Sequence, residues 1–472
     1  MRTSSAALRK PAPTSSLAAE AEALFREAKR RARRRRLRRL CVALTVLVSG
    51  FLVFYLGFGG QATTSLSATP GPVVNSAAFS QHGILAFVSE GRLWVLDGET
   101  DKLTAVSRPS QQALDPQFSR DGRWLSYLVG TGQLWLARSD GRAPRHVGGG
   151  GWGGIGGQDW LPDGRLLTTA GIWQVSARGA VRRIGAAPDG LEAWSSDGGR
   201  YAFTSSSRVA LSTKRSITIE RLEVSSSLTG KRTTWWENRV SFTEQSGLAG
   251  GLFDGVIVLP HREGILFRLD PGGSGSLAAD GLSVYELRGP GAQPKTLGVS
   301  LGDVVSVGSN GAFTFTDGGD RYAWLTKSVA TCSAAMARCS VVHTMPGQLS
   351  FDPTWSPDGR TLAFVQAPSG SASDFFQRTL RRWYATHSLW VLRQGSDTPV
   401  EIPDVTGASV PIWSADGRSL LYEANDALWL LPTLSSKPVR VASPLFTPNR
   451  WPSYYGQISW SGQFAWLSHP AR

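Results

Sequence analysis

Short runs of alternating apolar and polar residues, broken by Gly, Pro, Asp and Ser, fill the chain from about residue 74 onward. That period predicts β-strands joined by tight turns. The clearest stretch is Trp355-Ser356-Pro357-Asp358-Gly359-Arg360, followed by Leu362-Ala363-Phe364. It reads as the end of one strand, a turn and the start of the next, because Gly tolerates φ > 0 and Pro pre-sets φ ahead of it. Copies occur at Phe79-Ser80-Gln81-His82-Gly83, Phe118-Ser119-Arg120-Asp121-Gly122-Arg123 and Trp160-Leu161-Pro162-Asp163-Gly164-Arg165. Others are Trp194-Ser195-Ser196-Asp197-Gly198, Trp413-Ser414-Ala415-Asp416-Gly417-Arg418 and a terminal Trp460-Ser461-Gly462.

Most copies are followed by a second strand and then by a third ending in Leu93-Trp94, Leu134-Trp135, Ile172-Trp173, Leu389-Trp390 or Leu428-Trp429. A short fourth strand comes next, as in Arg145-His146-Val147 or Val439-Arg440-Val441. The first four copies fall 39, 42 and 34 residues apart, the period of a four-stranded propeller blade. Blades begin near 76, 115, 158, 191, 254, 303, 352 and 409; the count is eight, with seven as the alternative if one degenerate repeat is an insertion. The segments around Trp460 and Phe464-Ala465-Trp466 supply extra strands that close the ring. The 18 tryptophans fit the wedges between blades, where large aromatics pack.

The Trp-Ser-Pro-Asp-Gly-Arg hairpin with its downstream Leu-Trp strand resembles the propeller repeat of TolB-like and WD-like bacterial proteins, over roughly residues 74–468. The resemblance implies the fold and no activity, since propellers host scaffolds, receptors and enzymes. The chain departs from TolB itself: no α/β domain precedes the propeller, and no hydrolase domain follows it as in dipeptidyl-peptidase-type propeller enzymes.

Net charge is +14, which would suit a nucleic-acid binder. Residues 1–40, however, carry 13 basic and 3 acidic residues, leaving 37 and 33 for the rest of the chain. The propeller is therefore nearly neutral, and no nucleic-acid partner is expected. Residues 1–39 read as a cytoplasmic tail, disordered and then an Arg-rich helix. Residues 40–60 contain no charge, and 21 helical residues at ~1.5 Å each span a bilayer core. Basic residues before this run and none just after it predict a single transmembrane helix with the N-terminus inside and the propeller extracytoplasmic, in the cell envelope. Arg33, Arg34, Arg35, Arg36, Arg38 and Arg39 are placed to meet anionic lipid headgroups. No Ala-x-Ala cleavage site and no lipobox around Cys41 follow. Residues 61–75 are a linker, and 76–472 the propeller. Outside the cell, Cys332 and Cys339 are expected to pair as a disulfide.

Candidate chemistry is sparse. Gly151-Trp152-Gly153-Gly154-Ile155-Gly156 matches a dinucleotide fingerprint only formally, since it lies between strands. The six histidines show no metal-ligand spacing, and no Gly-x-Ser-x-Gly elbow occurs; neither a metal nor a cofactor is expected. Long connections at 148–157, 239–253, 268–281, 366–387 and 443–457 fall on the B–C and D–A face, with strands lettered A to D from the channel outward; the cysteine loop 328–339 can be aligned to either face. That face is the candidate binding face. Its aromatic and basic residues, Phe375, Phe376, Arg381, Arg382, Trp383 and Tyr384 with Arg450, Trp451, Tyr454 and Tyr455, are candidates for partner docking, the other readings being a folded-over lid or a headgroup contact. Asp115, Asp159, Glu192, Asp254 and Asp352 start inner strands and form a candidate acidic ring at the channel mouth, with local backbone capping as the plainer account.

The leading functional expectation is a non-enzymatic, membrane-anchored scaffold binding an envelope protein or peptide. The alternative is a propeller enzyme, a carboxylate-based hydrolase or lyase working at the channel mouth; a third is a transmembrane sensor with a cytoplasmic basic helix.

Overall fold

The repeated turn explains the repeated sheet. Ser119 Oγ donates to Asp121 Oδ1 (2.6 Å), which also accepts the Arg123 N–H (3.2 Å), while the Ser119 hydroxyl accepts the Trp124 N–H (2.9 Å). Ser356 with Asp358, and Ser414 with Asp416, repeat this arrangement bond for bond. Gly122, Gly359 and Gly417 take φ of 67°, 69° and 70° at the same point. The serine and aspartate oxygens thus satisfy the N–H groups that the chain reversal removes from the ladder.

The computed structural model describes residues 71–108, 111–130, 132–148, 158–168, 171–185, 192–195, 199–212, 215–226, 230–243, 247–249, 251–259, 264–271, 278, 280–300, 305–333, 339–342, 344–371, 377–445 and 462–468. Residues 71–472 make one compact unit. Its described strands form eight antiparallel sheets, the blades of an all-β, eight-bladed propeller. From the second blade onward the inner strands are Ala113–Phe118, Gln158–Trp160, Glu192–Trp194, Gly251–Val258, Val305–Val307, Gln348–Trp355 and Ala408–Trp413. The seven-blade alternative is thereby set aside.

The first blade differs from its sequence reading. Residues Ser76–Phe79 form one helical turn capped by Asn75, whose side chain accepts the Ala78 N–H. The blade's inner strand is instead Phe464–Leu467, from the other end of the chain, paired with Ile84–Ser89. Gly83 (φ 86°) lies so close to this closing strand that a Cβ would sit 2.1 Å from the Leu467 carbonyl; Trp466 Nε1 donates to the His82 carbonyl (2.7 Å). A second closure lies next door, where Val73–Val74 adds a fifth strand to the outer edge of the eighth blade.

The apolar core sits between blades. Ile84, Ala86, Val88 and Val95 of the first blade pack on Leu125, Tyr127 and Val129 of the second, and Ala363, Val365 and Leu389 of the seventh on Leu420 and Tyr422 of the eighth. The second strands of these blades are buried at nearly every position, so they read as near-continuous apolar runs.

Two loop expectations change. Residues 239–253 are mostly strand: the fourth blade's second, third and fourth strands, Tyr201–Ser212, Arg215–Ser225 and Thr233–Thr243, run 12, 11 and 11 residues. Elsewhere the second strand has four to eight. The fourth blade thus extends as a ribbon of these three strands on the B–C side, with Gly247–Ala249 paired along Ser241–Thr243 at its outer end. The cysteine segment also finds its place. Cys332 and Cys339 are disulfide-bonded with Cα atoms 4.1 Å apart and join the sixth blade's third and fourth strands, on the face of the tight turns. No helix among the described residues is long and apolar enough to cross a membrane; residues 40–60 and Arg33 to Arg39 lie outside the described residues.

Candidate functional site

Three inner strands share an interruption at a proline, and a fourth, Gly251–Val258, shifts register between Phe253 and Val256 without one. Between Leu114 and Gln117, between Phe351 and Thr354, and between Ser409 and Ile412 the ladder register shifts. The residue before proline at each shift has positive φ: Asp115 (52°), Asp352 (51°) and Val410 (45°). Proline gives no ladder donor, so the strand bulges there. The bulge frees Asp115 and Asp352 from the regular pleat and turns them to neighbouring inner strands. Asp352 Oδ2 accepts the Val410 N–H (3.0 Å) across the seventh and eighth blades, and the Asp115 N–H donates to the Gly462 carbonyl (2.8 Å).

The acidic ring expected at the channel is therefore not uniform. Asp115 and Asp159 come together on adjacent inner strands, with two glutamines arranged around them. Gln117 Nε2 donates to Asp115 Oδ1 (3.4 Å) and to the Gln158 carbonyl (2.9 Å), and Gln158 Nε2 donates to the Asp115 carbonyl. Gln158 is buried, and its Oε1 has no hydrogen-bond partner among the described residues. Asp159 is exposed along its inner strand. Walls of protein around it, and the Asp115 charge, nevertheless push its pKa up to about 6, against the pull of Arg120. Burial also raises Asp115, with the Gln117 and Gln158 donors opposing. Two neighbouring carboxylates, one open to solvent and titrating near neutrality, can hold and pass a proton.

Asp352 belongs to a second, closed group. Glu423 is 2% exposed and accepts the Asp426 N–H (2.8 Å). Burial, with Asp426 and Asp352 nearby, lifts its pKa to about 9, so it is uncharged at neutral pH. Ser409, opposite Glu423, lies between Val410, bonded to Asp352, and Ala408, whose carbonyl accepts from His387 Nδ1 (3.0 Å). His387 is 1% exposed, and desolvation lowers its pKa to about 4. The helix Gln377–Tyr384 covers this group. Trp383 lies 4.4 Å from the His387 ring and 5.9 Å from Phe351, and its Nε1 donates to the Pro368 carbonyl (2.8 Å). Trp383 and Tyr384 are thus packed inward and Arg381 and Arg382 exposed, the arrangement of a lid. Phe375, Phe376, Arg450, Trp451, Tyr454 and Tyr455 lie outside the described residues, as do the side chains of Glu192 and Asp254.

Sequence reasoning named Asp115, Asp159 and Asp352 but missed Glu423 and the glutamines. The available signal was a lone carboxylate in the apolar run Leu420-Leu421-Tyr422-Glu423-Ala424. No three His, Cys, Asp or Glu side chains among the described residues gather as a metal site.

No family model matches the chain. It is 38% identical over 82 residues to an uncharacterized peptidase, YuxL, of Bacillus subtilis, spanning 17% of this chain and 10% of that protein's length. Among solved structures it is similar to dihydro-heme d1 dehydrogenase NirN (TM-score 0.45, 13% identity, 81% of this chain and 77% of that one). It is also similar to an oligogalacturonate lyase in complex with manganese (TM-score 0.39, 13% identity, 79% and 84%). The YuxL stretch carries a peptidase name, and on that finding the expectation of a non-enzymatic protein is corrected. Likenesses this short or this distant transfer no activity.

Proposed function

We propose that the protein is a propeller enzyme of the hydrolase or lyase class, using Asp159 and Asp115 at the channel as its proton-handling pair. The observation that carries this reading is the solvent-open Asp159 carboxyl, poised near pH 6 beside Asp115, whose carboxylate accepts from the Gln117 amide and whose backbone carbonyl accepts from the Gln158 amide. A group titrating near the working pH combines an available proton with a useful driving force for its transfer. In either reaction class Asp159 exchanges a proton with the bond that breaks, and the Asp115 charge keeps that proton available. The channel suits a polar chain, such as a polysaccharide or peptide strand, threaded past the inner strands.

The test is turnover by the purified protein on a panel of oligosaccharides, polyuronides and peptides. A pH–rate limb near 6 is expected, together with near-complete loss of rate in Asp159→Asn and a shift of the limb to lower pH in Asp115→Asn. Turnover that is unchanged in both variants overturns the reading, and so does the absence of turnover on every substrate.

We propose also that residues 40–60 anchor the chain in a bilayer, with the propeller outside. Support comes from the uncharged run and the basic residues before it, and from the strand Val73–Val74. That strand runs antiparallel to Val439–Ser443, the eighth blade's fourth strand, so the chain joins the propeller from the B–C and D–A face. Protease protection in intact cells tests it, and a cytosolic Arg472 would refute it.

A further inference from the structure

The two faces of the propeller disc differ in chemistry. On the tight-turn face, ion pairs crown the hairpins: Arg123 with Asp121 (3.8 Å), Arg142 with Asp140 (3.4 Å), Arg418 with Asp416 (4.0 Å), and Arg165 with Asp163. Among the described residues seven large hydrophobic side chains are exposed. None is on that face. Val341 and Val400 lie on outer edge strands, across from Ala330 and Val391 of the third strands. The other five, Val73, Ile184, Val209, Leu211 and Met345, lie toward the opposite face, spread over the third, fourth and eighth blades and the connection from the sixth to the seventh.

The fourth-blade ribbon carries this apolar character farthest from the disc. Val209 and Leu211 are 46% and 55% exposed; Ile217 lies across from Val209, and the ladder shifts register between Ala210 and Ser212, at Leu211. Arg208 and exposed Arg215 flank them near the tip. Nine residues, 204–212, run on the order of 30 Å at ~3.3 Å each, and beside them Ser216 and Val240 stay buried. The same face receives the chain at Gly71, the first described residue. Ten residues separate it from Gly60 and reach about 36 Å at most.

We propose that this ribbon is a membrane-contact element, its Val209–Leu211 edge entering the headgroup region of an anionic bilayer and Arg208 and Arg215 meeting lipid phosphates. Apolar residues spread around one rim fit a planar partner, and basic residues beside them fit a negatively charged one. The inference rests on the anchor at residues 40–60.

The experiment uses the full chain, with Cys41→Ser, in nanodiscs of phosphatidylcholine with phosphatidylglycerol. Leu211→Cys and, on the other face, Arg142→Cys carry an environment-sensitive fluorophore. Emission from the Leu211 position should shift to the blue, and lipids with a spin label near the headgroup should quench it several-fold more than the Arg142 position. Leu211→Asp at the neighbouring level, with the fluorophore moved to Val209→Cys, should abolish the difference. Chain retained in the discs without preferential quenching at Leu211 overturns this inference and leaves the anchor standing. A chain that fails to enter the discs overturns the anchor and the inference with it.

Discussion

At the scale of single residues, burial decides which carboxylates are ordinary. Glu423 has its pKa raised from 4.5 to about 9, so the folded protein keeps it protonated while the unfolded chain ionises it above its usual value. Its protonated form therefore favours folding below pH 4.5, and that contribution drains away as pH rises toward 9, at about 1.4 kcal/mol per unit. Thermal melts of Glu423→Gln should accordingly lose less stability between pH 5 and 8 than those of the parent. His387 works in the opposite direction. Its pKa falls from 6.5 to about 4, so its neutral form stabilises the fold above 6.5 and that stability is lost as pH drops through 4. His387→Gln should flatten the acid limb of the same curve. Lys327 illustrates a third case: it is 5% exposed, and its Nζ lies 2.8–3.2 Å from the carbonyls of Gly319, Asp320, Tyr322 and Leu325. Lys327→Met would leave buried acceptors without donors, a loss of about 2–3 kcal/mol, read by chemical denaturation.

At the scale of elements, the lid helix and the ribbon show what the sequence could and could not express. The Ser-Asp-Gly turns were legible because their hydrogen bonds need particular side chains at fixed offsets, as Ser119, Ser356 and Ser414 show. Strand length was not legible in the fourth blade. Residues 204–212 are mostly exposed, and strands with two wet faces carry neither the aromatic nor the alternation signal that marks a blade. The acid pair was half legible: Asp115 and Asp159 stand at the starts of inner strands, but only the proline bulge turns Asp115 out of the pleat. Glu423 stayed hidden because its environment is assembled from the seventh blade, the eighth blade and the lid together. Within the lid helix, Leu380, Trp383 and Tyr384 stand at the spacing of one helical side, with Leu380 buried and Trp383 against His387. Trp383→Ser should uncover His387, Trp324 and Phe351. We expect a loss of about 2–4 kcal/mol, seen as a lowered Tm, with the other blades' near-UV signals preserved at low temperature.

For the whole molecule, closure is the governing constraint, since a ring leaves no wide sheet edge open. Removing residues 462–472 takes the inner strand from the first blade, and with it the partners of Ile84, Leu85, Ala86 and Phe87. That truncation should lower the melting temperature far more than removing residues 71–74, and should broaden the transition; calorimetry of the two shortened chains compares them directly.

The two closures also divide mechanical duty. Force applied along the N-terminal segment reaches the ring through Val73–Val74, a two-residue strand on the outside of the eighth blade. This clasp can peel away while Phe464–Leu467 still latches the first blade from within. Tension on the leash would then lengthen the molecule before it opened the wheel, leaving the Asp115–Asp159 geometry intact while the first strand gives way.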